Sequence, residues 1–554
     1  MTADADHAII ISCNNKDISF RKDLATDMKF KIYALFLIML FTVLFGQKIA
    51  AASDSIMAPG GNVTTMDALY EALGGENAVE KKENYLLLRR DIRLQAPVHI
   101  TEGQYVLVGA GVEITAEFTD SHLFEIGDPD GEKEVRLLLG TPDSEKENEN
   151  IVFNGEAVTR DGAFISIGEN ATFAFFSGTV FKNAVTSLSG SVIDNKGSFM
   201  MYGGNIKNCR ALASGGAIYS QGTLYLASGS IENCSSECGG AVYSEGTASL
   251  IGTEIVSCIA GKGGCVFNAG TLELLSSSLS GGTAAMGGGI FNSGTAKLSG
   301  GQIITCGNEN DALGGAVYNS GTLKFAGTYC SENKATSGGT VYNASVLVYE
   351  SGQIYNGSAV YGGHIYNDPF AEMTFSGGTV GSGRATYGGG LYNLGTLRID
   401  GGAFSGNKAT CGSAILNEGK MTMTEKASIN INNDVFVVVN EKNLHAISFE
   451  GASPATTILT LTPGIATQEG YITHYDENAV LVTGSAVAEV YERITVADDR
   501  DGNTWSLTAT GTLLRHLPVY YSPFFYILLL IAFVLTVAVL VFVIRWSDKK
   551  QKNL

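Results

Sequence analysis

Metal, nucleophilic or acid–base chemistry in this chain would fall to seven histidines, nine cysteines and the carboxylates. His7, His99, His122, His364, His445, His474 and His516 stand singly, and none sits at ligand spacing from another. Zinc needs three or four such ligands converging. Cys234 and Cys238 have no histidine and no second cysteine pair nearby. Asp128-Pro129-Asp130-Gly131 and Asp499-Arg500-Asp501-Gly502-Asn503 carry the first oxygen donors of a calcium loop. Both lack the remaining ligands and the closing glutamate, so turns are expected there. No Gly-x-Ser-x-Gly or phosphate loop stands in a strand-to-helix context. Glu232, Glu245, Lys262, Glu273, Lys297 and Lys324 are spread singly. Glu232 and Glu254 can meet as a carboxylate pair across a repeat, but nothing singles them out. The sequence therefore assigns no catalytic, metal-binding or cofactor-binding residue and no cofactor. A net charge of −19 argues against nucleic acid and other polyanions as partners.

What these residues are mounted on is a repeated phrase. Gly215-Gly216-Ala217-Ile218-Tyr219-Ser220-Gln221-Gly222 returns as Gly239-Gly240-Ala241-Val242-Tyr243-Ser244-Glu245-Gly246. It recurs at Gly263, Gly287, Gly314, Gly338, Gly362, Gly388 and Gly412, in steps of 24, 24, 24, 27, 24, 24, 26 and 24 residues. So regular a period defines a solenoid. Apolar and small polar residues alternate in runs of four to six bounded by glycine, which predicts strands. Between Gly162 and Lys420 no ten-residue helical stripe appears. Three short strands and three turns per repeat make one coil of a parallel β-helix. Roughly a dozen coils would give a rod about 60 Å long. Glycine, 69 of 554 residues, supplies positive φ or close approach at the recurring turns. The 9 prolines exclude a collagen-like chain.

Three columns follow from the register. Asn195, Ser220, Ser244, Asn268, Asn292, Asn319, Asn343, Asn367, Asn393 and Asn417 predict a stacked amide ladder. The alternative is a row of ligand-binding amides. Tyr219, Tyr243, Phe267, Phe291, Tyr318, Tyr342, Tyr366 and Tyr392 precede them and are expected in the core. Cys209, Cys234, Cys258 and Cys306 lie 12 residues after Gly197, Gly222, Gly246 and Gly294, with Gly282 filling the skipped coil. These thiols are expected buried and free, because in-register parallel neighbours make poor disulfide geometry.

The ends address the chain to a membrane. Met28-Lys29-Phe30-Lys31, the apolar run Ile32–Phe45 and Ala50-Ala51-Ala52 read as a secretory signal peptide over 28–52. Residues 1–27 then read as a mis-assigned extension before a start at Met28. Residues 53–150 are expected to hold a cap, with a short helix over Thr65–Leu73, and the first coils. Residues 151–424 hold the repeats, and 425–515 the last coils or a small β-domain. Phe524–Ile544 is uncharged and long enough to span a bilayer, which places a transmembrane helix at 523–544. Arg545, Lys549, Lys550 and Lys552 put the 545–554 tail in the cytoplasm. The expected product is single-pass in the plasma membrane, with its large ectodomain outside. Asn62, Asn170, Asn343 and Asn356 begin Asn-x-Ser/Thr glycan-acceptor motifs, and Asn343 should be buried in the ladder.

The Gly-Gly-Ala-[Ile/Val] phrase resembles that of the chlamydial-type polymorphic outer-membrane proteins and related adhesin-like surface proteins. Their Phe-x-x-Asn partner is matched by Phe404-Ser405-Gly406-Asn407, ahead of Gly412-Ser413-Ala414-Ile415. Most other coils lack it, and a single apolar helix stands where that family has a translocator barrel. The resemblance covers about residues 160–420. It implies an all-β, right-handed parallel β-helix of the pectin-lyase type, a role in adhesion, and a protein or glycan of a host cell or cell envelope as partner. The expectation is a non-catalytic display protein. The alternative is a polysaccharide lyase or glycoside hydrolase on the same fold, since fold alone does not fix function.

Overall fold

Short period-2 runs between glycine turns cannot bury a face alone, so each must stack on its neighbour. In a computed structural model they do so as a parallel β-solenoid of about 14 turns. The structure describes residues 55–141, 150–308, 310–424, 428–429, 433–439, 445–451, 459–516 and 523–551. The expected signal peptide, the 1–27 extension and the acidic insertion at Asp143 lie outside them.

One coil illustrates the rest. Val242–Ser244 forms the first face, Thr247–Ile251 the second and Glu254–Val256 the third. Each pairs in parallel with the strand 24 residues later: Val242 with Val266, Thr247 with Thr271, Glu254 with Ser278. Single bridges such as Ser235–Ile259 and Cys238–Lys262 tie the coils on the remaining side. At the N-terminal end the helix Met66–Ala72 is capped by Thr65, whose hydroxyl accepts the Ala68 N–H at 3.1 Å, and ends before Gly74 at φ +101°. Its Leu69 and Ala72 join the same apolar core as the coils. At the other end Asp434–Val438, Leu459–Thr467 and Ile494–Val496 continue the first face in parallel. Leu459–Thr467 also turns back as a hairpin with Gly470–Thr473.

The phrase's glycines do three different jobs. The first, Gly239 for example, sits at φ +67°, and all nine first glycines share this left-handed turn. The second has no room for a side chain: a Cβ on Gly240 would lie 2.1 Å from the Gly264 carbonyl oxygen and 2.8 Å from Ile259 N and O. The closing glycine is equally tight, a Cβ on Gly246 falling 2.0 Å from the Gly222 oxygen. Ser413 replaces the second glycine only in the last phrase, where its N–H donates to Asp434 Oδ1 at 2.7 Å instead of meeting another phrase. Glycine is not the sole source of positive φ. The corner after the third face is left-handed at Asn183, Asn208, Asn233, Ser257, Thr305, Glu332, Asn356 and Ser382, with φ of 52–58°. Asparagine, at four of these corners, tolerates this conformation because its short side chain can bond locally.

Inside the rod the amides form the ladder. Every Asn Nδ2 from Asn268 to Asn393 donates to the Asn Oδ1 one coil on, six bonds of 2.8–2.9 Å ending at Asn417. All are fully buried. Serine is too short to carry the run further: Ser244 Oγ and Asn268 Oδ1 have no partner. Ser244→Asn should therefore extend the ladder by one rung and stabilise the rod by about 1 kcal/mol, read as a raised urea midpoint with unchanged slope.

The cysteine column is explained by its gaps. Cys209, Cys234, Cys258, Cys265, Cys306 and Cys330 are buried and free. Gly282 interrupts the column because the Gly288 carbonyl and Cys265, at the phrase's third position, fill its space: a Cβ on Gly282 would lie 2.3 Å from the Gly288 oxygen and 2.6 Å from Cys265 Sγ. The same exchange recurs at His364, which occupies the third position between Gly357 and Gly383. Cβ atoms there would lie 2.4 Å from its Nδ1 and 2.6 Å from its Cδ2. Burial pushes the Cys234 and Cys330 thiols up, and a contact with Cys306 followed by burial does so for Cys265. In the native protein maleimide should label Cys238, the one partly exposed thiol among the described residues, and reach the seven others, Cys411 included, only after unfolding, as read by peptide mass mapping.

His364 is neutral by construction. Its Nε2 lies 2.8 Å from the Gly381 carbonyl oxygen and so carries the proton, which leaves Nδ1 to accept from Thr340 Oγ1 at 3.2 Å. Burial pulls its pKa down to about 4 from 6.5. The unfolded chain therefore binds a proton that the folded one refuses between those values. Stability is held above pH 6.5 and falls toward pH 4, by about 3 kcal/mol from this group. Urea unfolding at pH 7 and pH 4.5 should show a smaller acid loss in His364→Leu than in the parent protein.

Candidate functional site

The aromatic column faces outward, contrary to its expected place in the core. In a strand, neighbours point to opposite faces. Ile218 and Ser220 face in, so Tyr219 between them faces out, and the pattern repeats down the first face. Tyr219, Tyr243, Phe267, Phe291, Tyr318, Tyr342, Tyr366 and Tyr392 stack with centroids 4.6–5.4 Å apart and planes 9–21° from parallel. From Tyr219 to Tyr366 the rings are half-buried, except Phe291, which lies under Lys262 with the ammonium 5.5 Å from its centroid. Their hydroxyls reach carboxylates one coil on: Tyr219 donates to Glu245 at 3.0 Å and Tyr342 to Asp368 at 2.5 Å. Burial, then the Glu245 hydrogen bond, pushes the Tyr219 phenol up to about 12, so it stays protonated at neutral pH.

One end of this stripe is covered. The hairpin strand Gly470–Thr473 lays Tyr471 across it, 5.2 Å from Tyr387 at 75°, 6.3 Å from Tyr392 at 63° and 6.1 Å from Phe436 at 70°. The Tyr471 hydroxyl bonds Tyr392 Oη at 2.5 Å and also Glu418. These residues form a small apolar cluster outside the main core.

The charges that look isolated in the sequence are paired across coils. Lys297 reaches Glu273 at 2.8 Å and Lys324 reaches Glu350 at 2.7 Å. A search at the repeat spacing rather than along the chain would have found them. Exposed pairs of this kind add little stability. Glu232 and Glu254 are not brought opposite: Glu254 aligns with Ser230 and Glu232 with Val256. Glu232 instead accepts the Ser230 hydroxyl at 2.6 Å.

Both acidic loops are turns. Asp128 accepts the N–H groups of Asp130, Glu132 and Lys133. Asp499 accepts Asp501 N, Asn503 N and Nδ2, and Trp505 Nε1. Near it lies an open hollow of about 940 Å³ lined by His474, Tyr475, Asp476, Trp505 and Arg515 among others. The Trp505 and Arg515 donors and the Tyr475 hydroxyl are already bonded within the surrounding loops, at 2.9–3.0 Å. Among the described residues no three His, Cys, Asp or Glu side chains gather as a metal site.

Of the acceptor motifs, Asn62, Asn170 and Asn356 are exposed, whereas Asn343 is buried in the ladder. The two extra residues of the 26-residue step lie in the turn Asp368-Pro369-Phe370-Ala371, where Phe370 stands 93% exposed. The sequence marked the step; the structure shows that it pushes an aromatic ring into solvent.

Beyond the rod, Pro523–Gln551 is one continuous helix. Its apolar stretch, Pro523–Ser547, is long enough to cross a membrane and packs against nothing. The helix runs past the expected 544 boundary through Arg545 and Lys549, cations that suit a helix C-terminus. Among the described residues, fold and helix together define a parallel β-solenoid with one candidate membrane-spanning segment. Among known proteins, the chain matches no family model, no curated protein and no solved structure.

Proposed function

We propose that this chain is a non-catalytic, membrane-anchored display protein whose rod projects from the cell surface and binds a protein or glycan of a host cell or of the cell envelope. The observation that carries this reading is the bare apolar helix Pro523–Ser547, which packs against nothing. Some twenty apolar side chains left in water would be costly, and a bilayer removes that cost. The basic residues after the span orient the tail to the cytoplasm and the rod outward. A stiff solenoid keeps its outward columns at fixed spacing, so weak contacts repeated along one face add as avidity. The Gly-Gly-Ala-[Ile/Val] phrase and Phe404-Ser405-Gly406-Asn407 support kinship with the polymorphic outer-membrane and adhesin-like proteins.

The test combines surface biotinylation of intact cells, detergent extraction of the full chain against a chain ending at 516, and a glycan and cell-binding screen. The full chain should be biotinylated and need detergent, and the shortened chain should be released. Depolymerisation of any glycan in a parallel assay would replace this reading with the carbohydrate-active enzyme.

A further inference from the structure

The outward stripe has a geometry that selects its partner. Rings stacked 4.6–5.4 Å apart spend their π-faces on each other. What they offer to solvent is their edges. An aromatic ring is negative on its face and positive at its rim, so a row of rims favours a partner's π-face in T-shaped contact. A sugar that packs its C–H groups onto an open ring face finds none along this row.

The molecule already shows one such contact. Tyr471, carried on an extended hairpin strand, meets Tyr387, Tyr392 and Phe436 at 63–75° and covers the C-terminal end of the stripe. Next to it, Tyr361 and Tyr387 stack at 5.6 Å in a second outward column, and Tyr361 meets Tyr392 edge-on at 63°. The seven rings from Tyr219 to Tyr366 offer the same rims without the hairpin, over roughly 29 Å at strand spacing. Among the described residues the exposed side chain of Lys262 lies over Phe291, and Glu245 and Asp368 hold the Tyr219 and Tyr342 hydroxyls.

We propose that this run is a docking strip for an extended polypeptide segment presenting aromatic side chains on one face, as the strand Gly470–Thr473 does at its end. The strip rests on the display reading, and it names the partner class as protein. Lys262 swings off Phe291 when the strip is occupied.

The probe is a cyclised synthetic peptide of residues 464–473 with a photo-crosslinker at Thr473, on the same strand face as Tyr471, titrated against the full-length protein in detergent micelles. It should bind, and its crosslinks should map to the first-face strands between Tyr219 and Tyr366. A Tyr471→Ala version of the peptide should bind about fivefold to tenfold more weakly. Equal binding by the two peptides overturns the proposal, as do crosslinks confined to the Tyr387–Tyr392 end, which report exchange with the resident hairpin. No binding at about 1 mM also overturns it. A glycan that displaces the peptide from these strands overturns it too. If the protein displays on cells and binds them while the peptide fails, the strip falls and display stands. If the peptide binds as expected but the chain is absent from the surface, display falls and the strip stands.

Discussion

Gly240→Ala should unfold its coil. The added methyl would lie 2.1 Å from the Gly264 oxygen and 2.8 Å from both Ile259 N and O, all backbone atoms of the next coil. None is a flexible side-chain end that can swing away, so the stacked strands must part. A shift of this kind in a packed core costs more than about 4 kcal/mol, at the extreme of single-substitution effects. Because each coil rests on its neighbours, the break should also split one cooperative transition into two. Differential scanning calorimetry and hydrogen exchange would show this as early exchange centred on residues 239–266. Ser413→Ala, at the same phrase position in the last phrase, is the control and should shift the melting temperature little. A single unshifted transition in Gly240→Ala would show that the coils can separate at no cost.

Asn319→Leu should be nearly as damaging although leucine is of similar size. Asn319 accepts from Asn292 at 2.8 Å, donates to Asn343 at 2.8 Å and donates to the Val346 carbonyl at 2.9 Å. Leucine removes all three, and Asn343 Oδ1 keeps only a 3.4 Å contact with the Ser345 N–H. Two lost bonds plus a buried acceptor left nearly bare amount to about 3–5 kcal/mol. The loss should appear in the urea midpoint, and Asn319→Asp should not rescue it, since a carboxylate buried here has no donor to offer Asn343. If the leucine variant matches the parent, the amides do not bear the load assigned to them.

The amide and glycine columns differ in how far the residues alone reveal them. The amide column is visible in the sequence because the repeat length fixes which residues meet: positions 24 apart must stack, and like amides at those positions can bond only along the rod. The glycine column is visible too, but not its reasons. The first glycine answers to its own φ, whereas the second and the closing glycine answer to atoms of another coil. Composition gave no hint of that division.

The aromatic column shows where residue type misleads. Tyr and Phe suggest a core, yet each stands beside a buried amide or serine, and a strand cannot turn two neighbours inward. Alternation was in the sequence and outweighs hydrophobicity. What alternation cannot supply is the stacking of the rings rim-outward, or the hairpin that returns from about 80 residues later to cover one end. Likewise the gap at Gly282 was plain as a gap, while Gly357 and Gly383 join it only in the structure. That Cys265 and His364 fill them required knowing which inward positions of different strands share one volume.

The solenoid, its repeat and its ladder are legible in the residues alone because they follow from local spacing propagated by a constant period, and the apolar helix because its run of uncharged residues needs no partner to be recognised. Only the tertiary structure decided which side chains trade volume inside the rod, which charges pair across coils, and which row of rings faces a partner. Those depend on contacts between residues far apart in the chain, where small differences in turn length and side-chain size set the outcome.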